Sequence, residues 1–294
     1  MLHGWIVLDK PLGLGSTQAV SVIKRLLREA GEPKTKVGHG GTLDPLATGV
    51  LPIALGEATK VAGRMLGATK QYAFTIRFGE ETDTLDGEGK VVGKSDVVPN
   101  ADQLQAVLPR FTGEISQVPP AYSALKVGGK AAYARARAGE NIELKPRTVT
   151  IREIRLISDS ANQASLLATV SKGTYIRSLA RDIAHALGTV GHVTDLRRTR
   201  AGPFSLERAV SLDFLEETAK ARQLTRTVLP LIAALDDIPA LPVTSRQAEL
   251  LRHGQRLAGF PAPPGLCLAM EEETPVALVE ASADGLRVVR GFNL

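Results

Sequence analysis

The chain has 294 residues, of which 44% are apolar and 23% are charged, a balance typical of globular and not of disordered proteins. Its single cysteine, Cys267, excludes an intramolecular disulfide framework and four-thiolate metal sites, so we expect a reducing, cytoplasmic environment. No window approaches the roughly 18 apolar residues of a membrane helix, and the N-terminus lacks the pattern of a signal peptide. We therefore expect a soluble protein without a membrane partner.

The net charge of +5 is unevenly distributed along the chain. Residues 121–210 contain fifteen Lys and Arg against seven Asp and Glu, whereas residues 80–96 are acidic. A basic region of this kind favours a nucleic-acid partner, but the solvated surface of any basic protein has the same pattern. Charge alone leaves both interpretations open.

In the first third of the chain, the pattern predicts a strand, a helix, a loop and a second strand. Residues 5–8 form a short apolar run typical of an edge strand, and Ser16 is placed to cap a helix that runs to about Glu29 before Gly31. A glycine-rich loop follows. Across residues 72–78, apolar side chains at every second position predict a strand with one buried face.

The middle of the chain predicts a mixed α/β arrangement. Residues 119–146 have the composition of a surface excursion with one short helix around residues 131–138. Residues 147–157 and 165–171 are rich in β-branched side chains and predict strands. Thr174 is placed to cap a helix with an apolar stripe, which Gly188 would end.

A Pro-rich stretch at residues 236–242 predicts a domain boundary near Ala240. Beyond it we expect a short helix and compact strands at residues 266–270, 276–280 and 286–289. The chain is therefore divided into residues 1–240 and a small β-rich domain of residues 241–294.

The sequence lacks the motifs of several common types of ligand site. The glycine-rich segments at residues 13–15 and 38–41 match neither a phosphate-binding Walker loop nor a dinucleotide fingerprint. The histidines have no spacing typical of a zinc site. Asp83, Asp86 and Glu88 lack the order of calcium ligands, and we interpret them as a solvated turn. We expect neither a cofactor nor a metal.

The segment with the strongest chemical pattern is residues 38–52, GHGGTLDPLATGVLP, where Asp44 is the one carboxylate among glycines and prolines. Glycines allow close approach of backbone to a ligand, and Pro45 stiffens the chain beside Asp44, so the pattern favours a preorganised carboxylate. An ordinary Asx-turn is the alternative that composition alone leaves open.

This segment closely resembles the active-site motif of the TruB family of pseudouridine synthases, Gly-His-x-Gly-x-Leu-Asp-Pro-x-Ala-x-Gly-x-Leu. The resemblance spans residues 4 to about 210, with glycine at position 40 where Thr or Ala is more usual. Further matching segments follow in the family's order: Lys10–Gly13 with Ser16, Gly56–Lys60, Lys70–Tyr72, Thr82–Asp86, Pro119–Lys126, Lys172–Arg177 and His192–Arg198.

The resemblance implies an α/β (α+β) catalytic domain with a mixed, largely antiparallel sheet, followed by a PUA-like RNA-binding domain. Residues 119–146 would form a thumb-like segment that closes over the RNA. The implied reaction is isomerisation of uridine 55 in the T loop of tRNA to pseudouridine, with base flipping and exchange of a C–N for a C–C glycosidic bond. The implied enzyme needs no cofactor, binds the T stem-loop, and we expect it to act as a monomer.

The resemblance also implies the site residues. Asp44 would be catalytic, as a nucleophile or as a base at the ribose, and Arg177 would pair with it, since a guanidinium favours the ionised form of a carboxylate. Tyr72 would also be catalytic, stacking on the target base and helping to move its proton. From residue type alone, Arg177 could equally be an exposed helix arginine and Tyr72 a core aromatic.

For substrate binding, the resemblance makes Tyr175 and Leu196 pocket walls and gives His39 the space that the flipped base vacates. Lys10 and Lys60 would contact phosphates or stabilise the pocket. A further set of basic side chains would extend the basic face: Arg197, Arg198 and Arg200. Without the resemblance, Tyr175 and Leu196 would be assigned to the core.

Two other functions fit these motifs. The first is a guide-RNA-dependent pseudouridine synthase subunit of a multi-protein particle. The second is a tRNA-folding chaperone without catalysis, which would use the basic face but not Asp44.

Overall fold

The structure, a computed structural model, describes residues 1–123, 125–140 and 144–294. The predicted thumb-like segment therefore lies partly outside the described residues, at 124 and 141–143. The strands are β1 (Gly4–Lys10), β2 (Val37–His39), β3 (Ala47–Leu55), β4 (Lys70–Phe78), β5 (Glu80–Thr82), β6 (Val91–Lys94), β7 (Gly113–Gln117), β8 (Lys126–Val127), β9 (Lys130–Ala131), β10 (Arg147–Ser160), β11 (Gln163–Val170), β12 (Gly191–Ala201), β13 (Phe204–Ser205), β14 (Ala240–Pro242), β15 (Leu257–Ala258), β16 (Gly265–Glu271), β17 (Thr274–Ser282) and β18 (Gly285–Gly291).

The helices are α1 (Ser16–Glu29), α2 (Ala62–Gly67), α3 (Ala101–Val107), α4 (Ala132–Arg137), α5 (Ile176–Ala186), α6 (Leu212–Lys220) and α7 (Ser245–Arg252). Short 3-10 helices cover Gly56–Lys60, Leu108–Phe111, Leu206–Arg208, Leu224–Thr227 and Leu231–Ala234. No helix in the described ranges is long and apolar enough to cross a membrane.

Within the described residues, nine strands form the large sheet, in the order β1-β3-β12-β4-β11-β10-β7, with β2 beside β3 and β13 beside β12. β12 runs parallel to β3, whereas its pairing with β4 and the β4–β11, β11–β10 and β10–β7 pairings are antiparallel. The predicted mixed, largely antiparallel sheet is confirmed. The parallel pair matters for function because it aligns the start of β3, just after Asp44, with Leu196 of β12.

Apolar side chains alternate along β4 because one face of the strand meets the core and the other is more exposed. Phe74, Ile76 and Phe78 are buried in a core that also contains side chains of α1 and α5, whereas Arg77 is exposed. The helices bury their apolar stripes on this face through Ile23 and Leu179.

Both predicted helix caps are wrong by one residue, and for Ser16 the reason is a tertiary contact. Gly15 is the N-cap of α1, and Tyr175 is the N-cap of α5. The hydroxyl of Ser16 instead bonds the backbone of Leu43, accepting from its N–H at 2.8 Å and donating to its carbonyl at 2.9 Å. Thr174 donates to the carbonyl of Ser171. Sequence pattern identifies capping residue types but not the distant backbone that competes for them.

The C-terminal part of the chain is β-rich, as predicted. Its five strands have the order β14-β16-β17-β18-β15, and α7 packs on them. A small core belongs to this unit alone, but a second apolar cluster joins it to the large sheet, with Trp5 and Val50 on one side and Leu278 and Phe292 on the other.

Candidate active site

The loop that carries Asp44 connects β2 to β3 and is held from one side by Arg198. The Arg198 guanidinium is buried and donates to the carbonyls of Val50 at 2.7 Å, Thr42 at 3.1 Å and Gly41 at 3.2 Å. The expectation that Arg198 extends an exposed basic face is therefore wrong. Its position follows from the parallel β3–β12 pair, where Gly49 faces Arg198 and any Cβ on Gly49 would overlap the Arg198 backbone.

Lys10 and Ser16 hold the same loop from the other side. The Lys10 ammonium is enclosed and donates to the carbonyls of Leu14 at 2.6 Å, Pro11 at 3.0 Å and Pro45 at 3.2 Å. Burial lowers the pKa of Lys10 to about 8, and the nearby Asp44 carboxylate acts in the opposite direction. Of the two roles expected for Lys10, this position supports stabilisation of the pocket and not contact with a phosphate.

Asp44 and Arg177 form the ion pair that the resemblance implies, with Arg177 Nη2 2.8 Å from Asp44 Oδ2. The Arg177 side chain is 6% exposed and that of Asp44 is 44% exposed, so the carboxylate faces solvent while its partner is buried. The interpretation of Arg177 as a surface arginine is excluded. A guanidinium in this geometry fixes the orientation of the carboxylate.

Asp86 is a site residue that sequence reasoning missed. Arg177 Nη1 lies 3.0 Å from Asp86 Oδ2 and donates to the carbonyl of Thr84 at 2.8 Å. Asp86 is buried and also accepts from the backbone N–H of Glu88, so the interpretation of this segment as a solvated turn is wrong for Asp86, although Glu88 is exposed. The signal was present, since Thr82–Asp86 is one of the matching segments. Arg177 therefore joins two carboxylates, one buried and one exposed.

A cleft of about 250 Å³ surrounds the exposed carboxylate and contains five of the predicted site residues: Asp44, Tyr72, Tyr175, Arg177 and Leu196. Tyr72 is contributed by β4 and Leu196 by β12, while Tyr175 and Arg177 stand at the start of α5. A larger cavity of about 520 Å³ continues from Asp44 beneath Tyr122 and Tyr133 of the excursion.

His39 and Lys60 lie outside the residues that line this cleft. His39 ends β2, and its Nδ1 accepts from the backbone N–H of Gly41 at 3.4 Å; burial, and secondarily Arg198, lower its pKa, which favours neutral imidazole. Lys60 pairs with Glu57 at 2.6 Å and donates to the carbonyl of Gly291 at 3.0 Å. Lys60 thus links the large sheet to the C-terminal strands, which corrects its expected place at the pocket.

Among the described residues, no three His, Cys, Asp or Glu side chains lie close enough together to hold a metal ion. The cleft offers instead one oriented carboxylate, an aromatic ring on each of two elements, and an apolar wall. This set can hold a planar base beside an anionic oxygen.

Comparison with known proteins assigns the chain to the same family that its motifs resemble. Residues 24–176 match the model described as "TruB family pseudouridylate synthase (N terminal domain)", and residues 177–236 match "tRNA pseudouridylate synthase B C-terminal domain". The chain belongs to the TruB family of pseudouridine synthases. Among its TruB-family relatives, "tRNA pseudouridine synthase B" of Zymomonas mobilis is 59% identical, over 99% of this chain and 96% of that protein. The protein of the same name from Novosphingobium aromaticivorans is 58% identical, over 100% and 98%.

Solved structures share this TruB-family fold. The matched chain in "Structure of H/ACA RNP bound to a substrate RNA containing 2'-deoxyuridine" has a TM-score of 0.75 at 26% identity, over 99% of this chain and 86% of that chain. The matched chain in "Crystal Structure of a Cbf5-Nop10-Gar1 Complex" has a TM-score of 0.74 at 29% identity, over 98% and 84%.

Proposed function

We propose that this pseudouridine synthase isomerises uridine 55 in the T loop of tRNA, with Asp44 as the catalytic carboxylate. The observation that carries the proposal is the exposed Asp44 carboxylate, fixed by the buried Arg177 in a cleft with Tyr72, Tyr175 and Leu196. The names of the full-length relatives support tRNA as the substrate.

In the proposed reaction, the bond between N1 of uracil and C1′ of the ribose breaks, the base rotates, and C5 bonds to C1′. The proton that leaves C5 is balanced by the proton that N1 gains, so the reaction is an isomerisation without net redox change. Asp44 acts either as a nucleophile or as a base at the ribose, and Arg177 orients its carboxylate for that step. Tyr72 stacks on the base, a contact worth about 1–3 kcal/mol in nucleic-acid sites.

In the proposal, the uridine must leave its stack in the folded T loop before Asp44, in its cleft of about 250 Å³, can reach it. In the proposal, His39 fills the space that the base leaves, and residues 119–146 close over the T stem-loop. Residues 241–294 act as a PUA-like RNA-binding domain. The protein works as a cytoplasmic monomer, without metal.

The test is a single-nucleotide map of pseudouridine in unmodified tRNA incubated with the purified protein, with and without chelator. Wild type is expected to give one signal, at position 55. Asp44→Asn removes the ionisable oxygen but keeps the shape, so we expect it to abolish turnover and to leave tRNA affinity within a factor of about three. Asp159→Asn, at an exposed aspartate on β10, is the matched control and should behave as wild type.

Each other outcome has a defined meaning. Native activity in Asp44→Asn would contradict the role of Asp44, and a signal at another uridine would keep the chemistry but overturn the substrate position. Binding without modification by wild type would favour the folding chaperone or the guide-RNA-dependent synthase. The latter has support in the likeness to H/ACA particles, but at 26–29% identity against 58–59% for the tRNA synthases.

A further inference from the structure

Two residues stand at the base of the excursion that leaves the large sheet between β7 and β10. Gln117 ends β7 and Arg147 begins β10, and the two are directly opposite each other in the antiparallel register. They are thus the last cross-strand pair before the chain leaves the sheet. Neither residue is assigned a role by the reaction described above.

Both residues contact Tyr175, at different parts of it. The Gln117 side chain, with 0% exposure, accepts from the Tyr175 N–H at 2.8 Å and donates to the Tyr175 carbonyl at 3.1 Å. The Arg147 guanidinium carbon lies 5.5 Å from the centroid of the Tyr175 ring, within the range of a cation–π contact. Gln117 therefore holds the peptide of Tyr175, and Arg147 holds its ring.

The place of Tyr175 makes these contacts relevant to the cleft. Tyr175 is the N-cap of α5 and makes no side-chain cap of its own, so Gln117 is the side chain that bonds the backbone where the helix begins. Arg177, the partner of Asp44, is the second residue of this helix. The excursion is also tied to α5 farther along, where Arg181 donates to the carbonyl of Val118 at 3.2 Å and Arg177 to that of Tyr122 at 3.0 Å.

We propose that Gln117 and Arg147 are positioning residues of the uridine pocket, which fix the backbone and the ring of Tyr175 as its wall. The proposal rests on the proposed function for the reaction that it affects, but the contacts themselves can be tested without turnover. A simple phosphate contact by Arg147 would act differently, since it would change RNA affinity and its salt dependence and not the rate in the bound complex.

The first test measures the environment of Tyr175 and does not require enzyme activity. Fluorotyrosine is incorporated at the four tyrosines, and the ¹⁹F resonance of Tyr175 is assigned with Tyr175→Phe. Arg147→Met should shift the Tyr175 resonance and leave that of Tyr72 unchanged, and Gln117→Met, which removes both hydrogen bonds at similar volume, should shift or broaden it as well. Arg152→Met, at an exposed arginine on the same strand, is the matched control. An unchanged Tyr175 resonance in the Arg147 and Gln117 variants overturns the proposal.

The second test is a double-mutant cycle on the single-turnover rate with saturating enzyme. Arg147→Met is expected to slow the rate roughly three- to tenfold, with RNA affinity within about twofold, and Arg147→Lys to retain most of it. In a Tyr175→Leu background, Arg147→Met should have almost no further effect, because its partner is gone. Equal losses in both backgrounds, or a loss confined to affinity, overturn the proposal. If the wild type makes no pseudouridine, that result contradicts the proposed function and not the positioning proposal. The ¹⁹F resonance shifts then test the positioning of Tyr175 by themselves.

Discussion

Burial disfavours the charged form of Lys10 in the folded protein. Its buried ammonium has a pKa lowered to about 8, whereas the unfolded chain keeps the ordinary value of 10.5. Between these two values, the unfolded state binds the proton and the folded state does not, so stability should rise with pH from about 8 to 10.5. The rise attributable to Lys10 is at most about 3 kcal/mol.

The measurement is urea unfolding of wild type and Lys10→Met at several pH values from 7 to 10.5. Because Lys70 has the same lowered pKa of about 8, only the difference between the two proteins isolates Lys10. Wild type should gain stability relative to Lys10→Met as pH rises. A difference that stays constant across this range would mean that folding does not lower the pKa of Lys10.

Single residues also mark where sequence reasoning reached its limit. Asp44 and Arg177 were predicted as a pair, and they are one, because the motif fixes both residue types. Asp86 was missed because local composition cannot reveal that an arginine far along the chain needs a second carboxylate. The sequence predicts that Arg198 extends the basic face and that Lys60 contacts phosphates or stabilises the pocket. An arginine or lysine in a sequence, however, carries no sign of whether backbone carbonyls will surround it.

At the scale of elements, the unusual glycine at position 40 has a packing reason in α2. A Cβ on Gly40 would lie 2.8 Å from Met65 Cβ and 3.1 Å from its Cγ, so the helix occupies the space that a larger residue needs. We expect Gly40→Ala to destabilise the chain by about 1–3 kcal/mol, the usual cost of overpacking, and to lower activity by displacing the Asp44 loop.

The matched control is Gly38→Ala on the neighbouring strand β2, where a Cβ meets nothing within 4 Å. Thermal unfolding and the tRNA assay of both variants give the answer. If the Gly40→Ala protein is as stable and as active as Gly38→Ala, α2 shifts away from the added Cβ at little cost and does not hold the Asp44 loop in place.

The sequence predicts the presence of the helices and strands better than the residues at which the helices begin. The alternation in β4 and the stripe on α5 depend on a periodicity that burial imposes along the whole element, so the pattern survives in sequence. Helix starts depend on single hydrogen bonds, and Ser16 gives its hydroxyl to Leu43 of the Asp44 loop. Ser16, which the sequence predicts as the cap of α1, thus helps to fix the Asp44 loop instead.

For the whole molecule, the boundary proposed near Ala240 separates two sheets that each have a core of their own and that also share a third apolar cluster. Trp5, Phe204 and Phe292 share one buried cluster, and Asn293 donates to Glu57 at 2.8 Å across the same contact. The C-terminal strands therefore pack on the part of the large sheet formed by β1 and β3, through side chains that alternate with those facing α1 and α5. If they widen the RNA footprint, as proposed, they do so as a fixed extension of the catalytic part.

This shared cluster predicts cooperative unfolding of the two parts. Phe292→Ala removes a ring that is 1% exposed and should cost about 3–5 kcal/mol, whereas Val289→Ala, at a side chain 46% exposed on β18, should cost little. Trp5 is the one tryptophan of the chain and lies in the cluster, so its fluorescence reports the large sheet directly. In Phe292→Ala, the Trp5 transition should move to lower denaturant together with the circular-dichroism transition. If Trp5 instead unfolds as in wild type while a separate C-terminal transition moves, the two parts fold independently, because loss of Phe292 would then leave the large sheet intact.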